Sequence, residues 1–412
     1  MTTSSSAPII DGSPPDGSTT DSRVGGVFST SFRERWAAPV LGAGLTWFAA
    51  RLFITLIAVI AHLRSDGAQF FGRPEWFADV FFHWDSVYFA DIARAGYFAD
   101  GTASTWVAFF PGYPVLSGGV ARLVPGDATE ADIRLALCLV AGIAAAASGI
   151  ALWRLVEDRY GRRITRATVV LYFFGPYSVF LVASYSESLY LAFAISAWLC
   201  VSRGRWATGA VIAALAGFTR INGVFLVLAL AVLLILVLRQ RGVAIVPRVI
   251  GFVAIAMSGV GAYMIYLWAR TGDILAWSHA QTEGWHRVTT WPWSTLHSTI
   301  VAAGSEPAAD VRFQLVMDLI FAILCCIGLI ALVLRRQWAA AVLVALTLGS
   351  LMTSANYTSL ARNSLTLFPL IILVASTLLR PRWRWLYWIG LACSVTLLSV
   401  NTWLSTLGAW AD

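Results

Sequence analysis

Eleven apolar runs divide the chain. They occupy residues 37–63, 135–155, 167–184, 188–201, 207–218, 223–238, 249–268, 313–334, 338–354, 365–379 and 385–404. A helix needs about 20 such residues to cross the hydrocarbon of a bilayer. Composition agrees: 58% of the 412 residues are apolar and 12% are charged, against roughly 45–50% and 25% in soluble domains. A soluble globule, a coiled coil, collagen and wholesale disorder are excluded by the same arithmetic. The expected fold is all-α: a polytopic membrane helical bundle of about eleven transmembrane helices. Residues 1–36 are rich in Ser, Thr, Gly, Pro and Asp and read as a disordered tail. Residues 37–412 read as one transmembrane domain.

The net charge of +7 is not a nucleic-acid footprint; in a membrane protein the position of each arginine carries the information. The positive-inside rule decides whether the Pro-broken stretch 106–124 crosses. If it does not, 18 of the 29 basic residues fall on one side: Arg23, Arg33 and Arg35, the cluster 154–166, Arg203 and Arg205, Arg239, Arg241 and Arg248, Arg335 and Arg336, and Arg380, Arg382 and Arg384. If it crosses, the 154–166 cluster flips and the pattern breaks. The expected topology therefore has a cytoplasmic N-terminus in the cell membrane and two long exterior loops, 64–134 and 271–312. All five histidines fall at or beyond the outer boundary, so function is sought on that face. The five cysteines lie in apolar runs without zinc spacing, which argues against a disulfide framework.

Several constellations on that face could carry chemistry. In 81–97, apolar positions 81, 84, 88 and 92 have helical spacing and Gly96 would stop the helix, so an amphipathic interfacial helix is expected. Asp85 sits among aromatics there, an environment suited to a general base; the plain alternative is a carboxylate that caps a turn. Asp91 is about 120° around the helix, so the two carboxylates do not pair. Phe109, Phe110 and Tyr113, around Pro111 and Pro114, could line a groove for a prenyl chain or form an ordinary aromatic belt. Tyr185 and Glu187 stand in a polar turn between two runs. Arg220, where two short runs meet, is costly at membrane depth and a functional candidate by default; its partner is a phosphate or a carboxylate such as Glu187. Arg362 is a second phosphate anchor or a snorkelling arginine. Arg51, within the first run, is expected to pair internally, with Asp318 as the candidate. Trp285 and His286, in the Trp-, Gln- and Glu-bearing stretch 277–287, suit sugar recognition. His83, His279 and His286 have no helical i,i+4 spacing, so no metal site and no cofactor are expected.

Trp84-Asp85-Ser86 with Ile92-Ala93 and Gly96-Tyr97, Phe109-Phe110-Pro111 with Tyr113-Pro114, Gly175-Pro176, Tyr185-Ser186-Glu187-Ser188, and Thr219-Arg220 with Asn222-Gly223 resemble, in order, the motifs of the GPI mannosyltransferase II family and its bacterial relatives. The resemblance covers residues 40–225 and is looser beyond, at Trp285 and at Arg362 with Phe368-Pro369. That family belongs to the GT-C superfamily, membrane glycosyltransferases that use a polyprenyl-phosphate sugar on the non-cytoplasmic side. The resemblance implies that Asp85 takes the catalytic position in a first exterior loop flanked by interfacial helices. It also marks a departure: the family commonly has Arg before Trp-Asp-Ser, and this chain has His83.

The sequence-level expectation is thus an inverting, metal-independent mannosyltransferase. It would move mannose from polyprenyl-phosphate mannose to an acceptor hydroxyl on a glycolipid, lipoglycan or protein, with no nucleic acid involved. Asp85 would be the base, and Arg220 and Arg362 would bind the donor phosphate. His83, Trp84, Tyr185, Glu187, Asn222, Trp285 and His286 would contact substrate, and Phe109, Phe110 and Tyr113 the prenyl chain. Two other readings stay open: a transporter or flippase of lipid-linked sugars, for which repeated halves would speak, and a transferase of another polyprenyl-phosphate sugar.

Overall fold

The computed structural model describes residues 23–64, 77–99 and 104–410. The expected tail divides: residues 1–22 lie outside the described residues, whereas Arg23 already begins a helix. Among the described residues there are helices and turns and no strand. In order they are α1 (Arg23–Arg64), α2 (Asp85–Ala95), α3 (Gly112–Ala121), α4 (Glu130–Phe173), α5 (Glu187–Ser202), α6 (Trp206–Thr219), α7 (Gly223–Arg241), α8 (Val246–Thr271), α9 (Ala276–Trp285), α10 (Pro292–Ser305), α11 (Ala309–Leu334), α12 (Trp338–Met352), α13 (Leu360–Asn363), α14 (Phe368–Leu378) and α15 (Arg384–Thr406).

Among the described residues, six helical stretches are long and apolar enough to cross a membrane: Trp36–Arg64 of α1, α4, α7, α8, α11, and Pro381–Thr406, which contains α15. Taking α13 and α14, bent by 79°, as one broken span brings the number to seven. The eleven expected runs are distributed over these elements in a way that their local geometry explains. Run 135–155 forms the first arm of α4, and run 167–184 begins its return arm. Gly161, at φ +74°, breaks the helix. The arms fold back on each other, with Ser148 Oγ 2.7 Å from Tyr172 Oη and no room for a side chain at Gly149 beneath Phe173. The return arm ends at Phe173, and the backbone then runs irregularly through a 3-10 turn, Ser178–Leu181. Irregular backbone survives at membrane depth only inside protein, and residues 177–195 are accordingly almost all buried.

α5, α6 and α12 have 16, 14 and 15 residues. At 1.5 Å per residue they are about 21–24 Å long, short of a hydrocarbon core of about 30 Å. All three fall short at the same end of the bundle. Ser186, Arg220 with Asn222, and Thr353 lie just past their termini and line one cavity there. Short helices thus open the cavity floor. α6 turns into α7 through Arg220, whose backbone is extended (φ −152°). The hairpin is tight because Gly223 lies against the backbone of Gly217. α6 also packs closely on α8, where Gly259 faces the carbonyl of Ala214 with no space for a Cβ, the close approach that small residues permit between membrane helices.

α3 has ten residues, about 15 Å, too short to cross by itself, in keeping with the reading of 106–124 as a segment that does not span. At the opposite end from the cavity the arginine-rich turns meet: Arg203 contacts Asp158 at 2.6 Å, and Arg241 donates to the carbonyl of Arg203. Arg51 does not pair with Asp318. Its guanidinium donates to the Val182 carbonyl and reaches Cys138 Sγ, and Asp318 accepts instead from the Ala361 backbone N–H.

Candidate active site

A cavity of about 860 Å³ occupies the end of the bundle where the short helices stop. α2 supplies Asp85 as its first residue, and the preceding Trp84 has φ +53°. Of the four non-glycine residues with positive φ among the described residues, three (Trp84, His286 and Ser359) line this cavity. Backbone strain of this kind persists only where surrounding packing enforces it, and it concentrates at functional sites. The apolar stripe read at 81, 84, 88 and 92 splits in the structure. Phe81 and Ile92 are buried in the core, whereas Trp84 and Tyr88 face the cavity with Asp85.

Asp85, Glu187, Arg220 and Arg362, drawn from four separate segments, form one ionic chain. Arg362 Nη2 donates to Asp85 Oδ2 at 3.1 Å and Arg362 Nε to Glu187 Oε1 at 2.7 Å. Arg220 Nη1 lies 3.0 Å from the same Glu187 oxygen and donates to Ser186 Oγ at 2.9 Å. Arg220 Nη2 is 3.5 Å from Asn363 Oδ1. Glu187 is fully buried. The Arg362 guanidinium lies over the edge-on pair of Phe180 and Tyr185 rings, 4.5 Å from each centroid, a cation–π contact that a guanidinium makes readily. Tyr185 is fixed by donation to the His83 carbonyl. Two carboxylates and two guanidiniums give a formal charge of zero. Desolvating a lone charge here would be prohibitive, so each group depends on the others. Asp85 and Arg220 keep part of their side chains accessible, 26% and 18%, and both line the cavity.

The aromatic wall is built on the 106–110 backbone. Tyr263 of α8 donates to the carbonyls of Val107 and Phe109, Tyr97 to Phe109, and Trp277 of α9 to Ala108. Phe109 is thereby held in a stack on Tyr88, 4.9 Å between centroids, and edge-on to Trp285 at 5.3 Å.

Asp85, Trp84, Tyr185, Arg220, Asn222, Trp285, His286, Arg362, Phe109 and Phe110 all reach the cavity. Three candidates do not line it. Glu187 lies behind it, holding the two arginines. Tyr113 is buried under Phe89, its hydroxyl donated to the Leu137 carbonyl, so it is a packing residue rather than groove lining. His83 is 5% exposed and is not part of the cavity lining. Burial holds its pKa down to about 4, partly opposed by the backbone of Thr406 and Val80 and the charge of Asp79. It is therefore neutral at pH 7 and does not supply the charge of the arginine it replaces. The unfolded imidazole takes up a proton below about 6.5 while the folded one resists until about 4. Stability should thus fall as pH drops through this window, by up to about 3 kcal/mol. The thermal midpoint, followed from pH 7 to 5, should decline less steeply in His83→Phe; equal slopes would contradict the assignment.

Residues at the site that the sequence reading did not name as site candidates are Tyr88, Phe180, Ser186, Asn363 and Trp410. Ser186 and Asn363 adjoin named candidates and carry polar side chains, which was a usable signal. Phe180 sits in an apolar run and Trp410 near the chain end, packed edge-on to Trp84 at 5.4 Å; neither carries a local signal.

Residues 72–240 match a family model described as Mannosyltransferase (PIG-V). That segment is similar to the PIG-V mannosyltransferases. It contains Asp85, Glu187 and Arg220 and ends before Arg362. Over 146 residues the chain is 32% identical to GPI alpha-1,6-mannosyltransferase 2 of Rattus norvegicus, covering 34% of this chain and 29% of that protein. The PIG-V match and this relative agree with the resemblance read from the motifs. Among solved structures, the oligosaccharyltransferase of Archaeoglobus fulgidus aligns with TM-scores of 0.44 (complex with Zn and sulfate) and 0.42 (complex with an inhibitory peptide and a dolichol-phosphate). The identities are 10% and 9%, over 86% and 89% of this chain and 53% and 56% of theirs.

Proposed function

We propose that the protein is a membrane mannosyltransferase that takes mannose from polyprenyl-phosphate mannose and passes it to an acceptor hydroxyl, with inversion, on the non-cytoplasmic face. The observation that carries this reading is the convergence of Asp85 and Arg220, 135 positions apart in sequence, on one cavity inside a segment similar to PIG-V mannosyltransferases. Asp85, hydrogen-bonded to Arg362 and partly exposed at the cavity, is the group that takes the acceptor proton. As the acceptor oxygen bonds to the anomeric carbon, its proton passes to Asp85 and the bond from that carbon to the phosphate oxygen breaks. The phosphate leaves with the electron pair and gains negative charge. Arg220, partly exposed and backed by Ser186 and Asn363, faces that charge. Arg362 is buried, so its part is to hold Asp85 and Glu187 in place rather than to meet the phosphate first. Tyr88, Phe109 and Trp285 offer ring faces to the sugar, and Phe110 with Trp277 extends the apolar wall.

The exterior assignment rests on the arginine distribution: the basic turns gather at one end of the bundle and the cavity opens at the other. A glycolipid or lipoglycan acceptor fits a cavity at membrane level better than a folded protein does. Purified protein in detergent, given labelled polyprenyl-phosphate mannose, should release polyprenyl phosphate in the presence of an acceptor. Arg220→Ala removes a charge-assisted contact worth about 1.5–3 kcal/mol, so its apparent donor KM should rise roughly ten- to hundredfold. An unchanged donor KM would remove the phosphate role.

A further inference from the structure

α10 is amphipathic in the reverse of the usual sense. Thr295, Ser298 and Thr299 lie on the face turned to the protein, with Thr295 and Thr299 fully buried. Trp291, just before the helix, and Trp293, Leu296, Ile300 and Val301 point outward, together with the exposed Ser294 and His297; the two tryptophans are 67% and 65% exposed and stack on each other at 5.0 Å. The polar face is fully engaged. Thr295 Oγ1 donates to the Ser354 carbonyl, Ser298 Oγ to the Ala355 carbonyl, and Thr299 Oγ1 accepts from the Tyr357 N–H. Just upstream, the Thr290 N–H donates to the Thr353 carbonyl at 2.8 Å. These bonds fix the loop 353–357, which leads directly into α13 and Arg362.

The outward face needs an apolar partner. α10 runs through a three-residue link, 306–308, into α11, whose Ile320, Ile323 and Ile327 are exposed on a helix apolar and long enough to span. α10 packs against that spanning helix. Its leading edge is a tryptophan pair, the residue type that settles at the membrane–water boundary. At 14 residues, about 21 Å, the helix is too short to cross but suited to lie in that boundary. We propose that α10 is a membrane-seated clamp: its tryptophan and aliphatic face is embedded in the lipid interface, and its hydroxyl face holds the loop that delivers Arg362 to Asp85 and Glu187. The inference does not depend on which sugar is transferred.

The test is a depth measurement on single cysteines placed at Ile300, Val301 and, as a water-facing control, the exposed His279 of α9. The background has the five native cysteines replaced, and the full chain is nitroxide-labelled in nanodiscs of phosphatidylcholine and phosphatidylglycerol. At Ile300 and Val301 collision with oxygen should dominate over collision with a water-soluble nickel complex, with the order reversed at His279. Nickel accessibility at Ile300 like that at His279 would overturn the proposal. So would spin–spin broadening between copies, which would place a second chain on this face. In the double variant I300E/V301E, amide exchange over residues 353–360 should speed up at least tenfold while α4 and α5 keep their protection; unchanged exchange there would sink the clamp role.

Discussion

Asp85→Asn should yield a protein that folds, inserts and binds donor yet transfers no measurable sugar. The amide retains the shape of the side chain and an oxygen for the Arg362 contact, which is 3.1 Å in the parent. Arg362 also keeps its bond to Glu187, so the ionic chain survives in part and the thermal midpoint should shift by only a few degrees. What the amide lacks is a site for the acceptor proton. General-base catalysis is worth about 10²–10⁴ in rate, and a loss at the upper end of that range is expected: of the other carboxylates on the cavity wall, Asp318 accepts from the Ala361 N–H and Glu306 from the Ala308 N–H, and Glu187 is shut behind the arginines. Donor KM should be almost unaffected. Turnover within tenfold of the parent would remove Asp85 from the reaction.

Arg362→Leu should have the largest effect on stability of any single change in the site. The side chain is 6% exposed, Glu187 1% and Asp85 26%. Removing the guanidinium leaves Glu187 with Arg220 and takes from Asp85 the guanidinium 3.1 Å away. Breaking a buried pair by deleting one partner costs about 3–5 kcal/mol, because the remaining charge stays desolvated. Arg362→Lys should recover part of the loss: it restores charge but not the two-armed contact to Asp85 and Glu187. Thermal unfolding in one detergent, read by intrinsic fluorescence, ranks the three proteins. Equal midpoints for parent and Leu variant would show that the ionic chain is not structural.

The bundle was legible because lipid leaves the backbone so little choice: a run of twenty apolar residues has one stable solution. The number of spans was less legible. Composition does not distinguish a helix that reaches both faces from one, such as α5 or α12, that stops short inside the protein, since both are equally apolar. Gly161 shows the reverse case, where a positive-φ glycine amid arginines marked the turn between two arms. In the site, Asp85, Arg220 and Arg362 were readable because charge at membrane depth is expensive and so carries a reason. Their mutual arrangement was not, because Arg362 lies 277 positions from Asp85 and no local pattern encodes that distance. His83 was misread as a cavity residue for a related reason: its neighbours in sequence line the cavity, but the positive φ of Trp84 turns the chain between them. Tyr113 likewise sits in an aromatic motif whose other members face the cavity, while its own hydroxyl is spent on the Leu137 carbonyl.

The claim on which the account rests is spatial: one anion of the donor at Arg220 and one sugar carbon facing Asp85. A structure of the protein in lipid with a non-transferable phosphonate analogue of polyprenyl-phosphate mannose measures it directly. The account predicts the phosphonate within hydrogen-bond distance of the Arg220 guanidinium. The mannose ring should lie against Phe109 and Trp285, with the open face of its anomeric carbon toward the Asp85 carboxylate. A phosphonate bound elsewhere in the cavity, or a sugar whose reacting carbon is screened from Asp85, would contradict it.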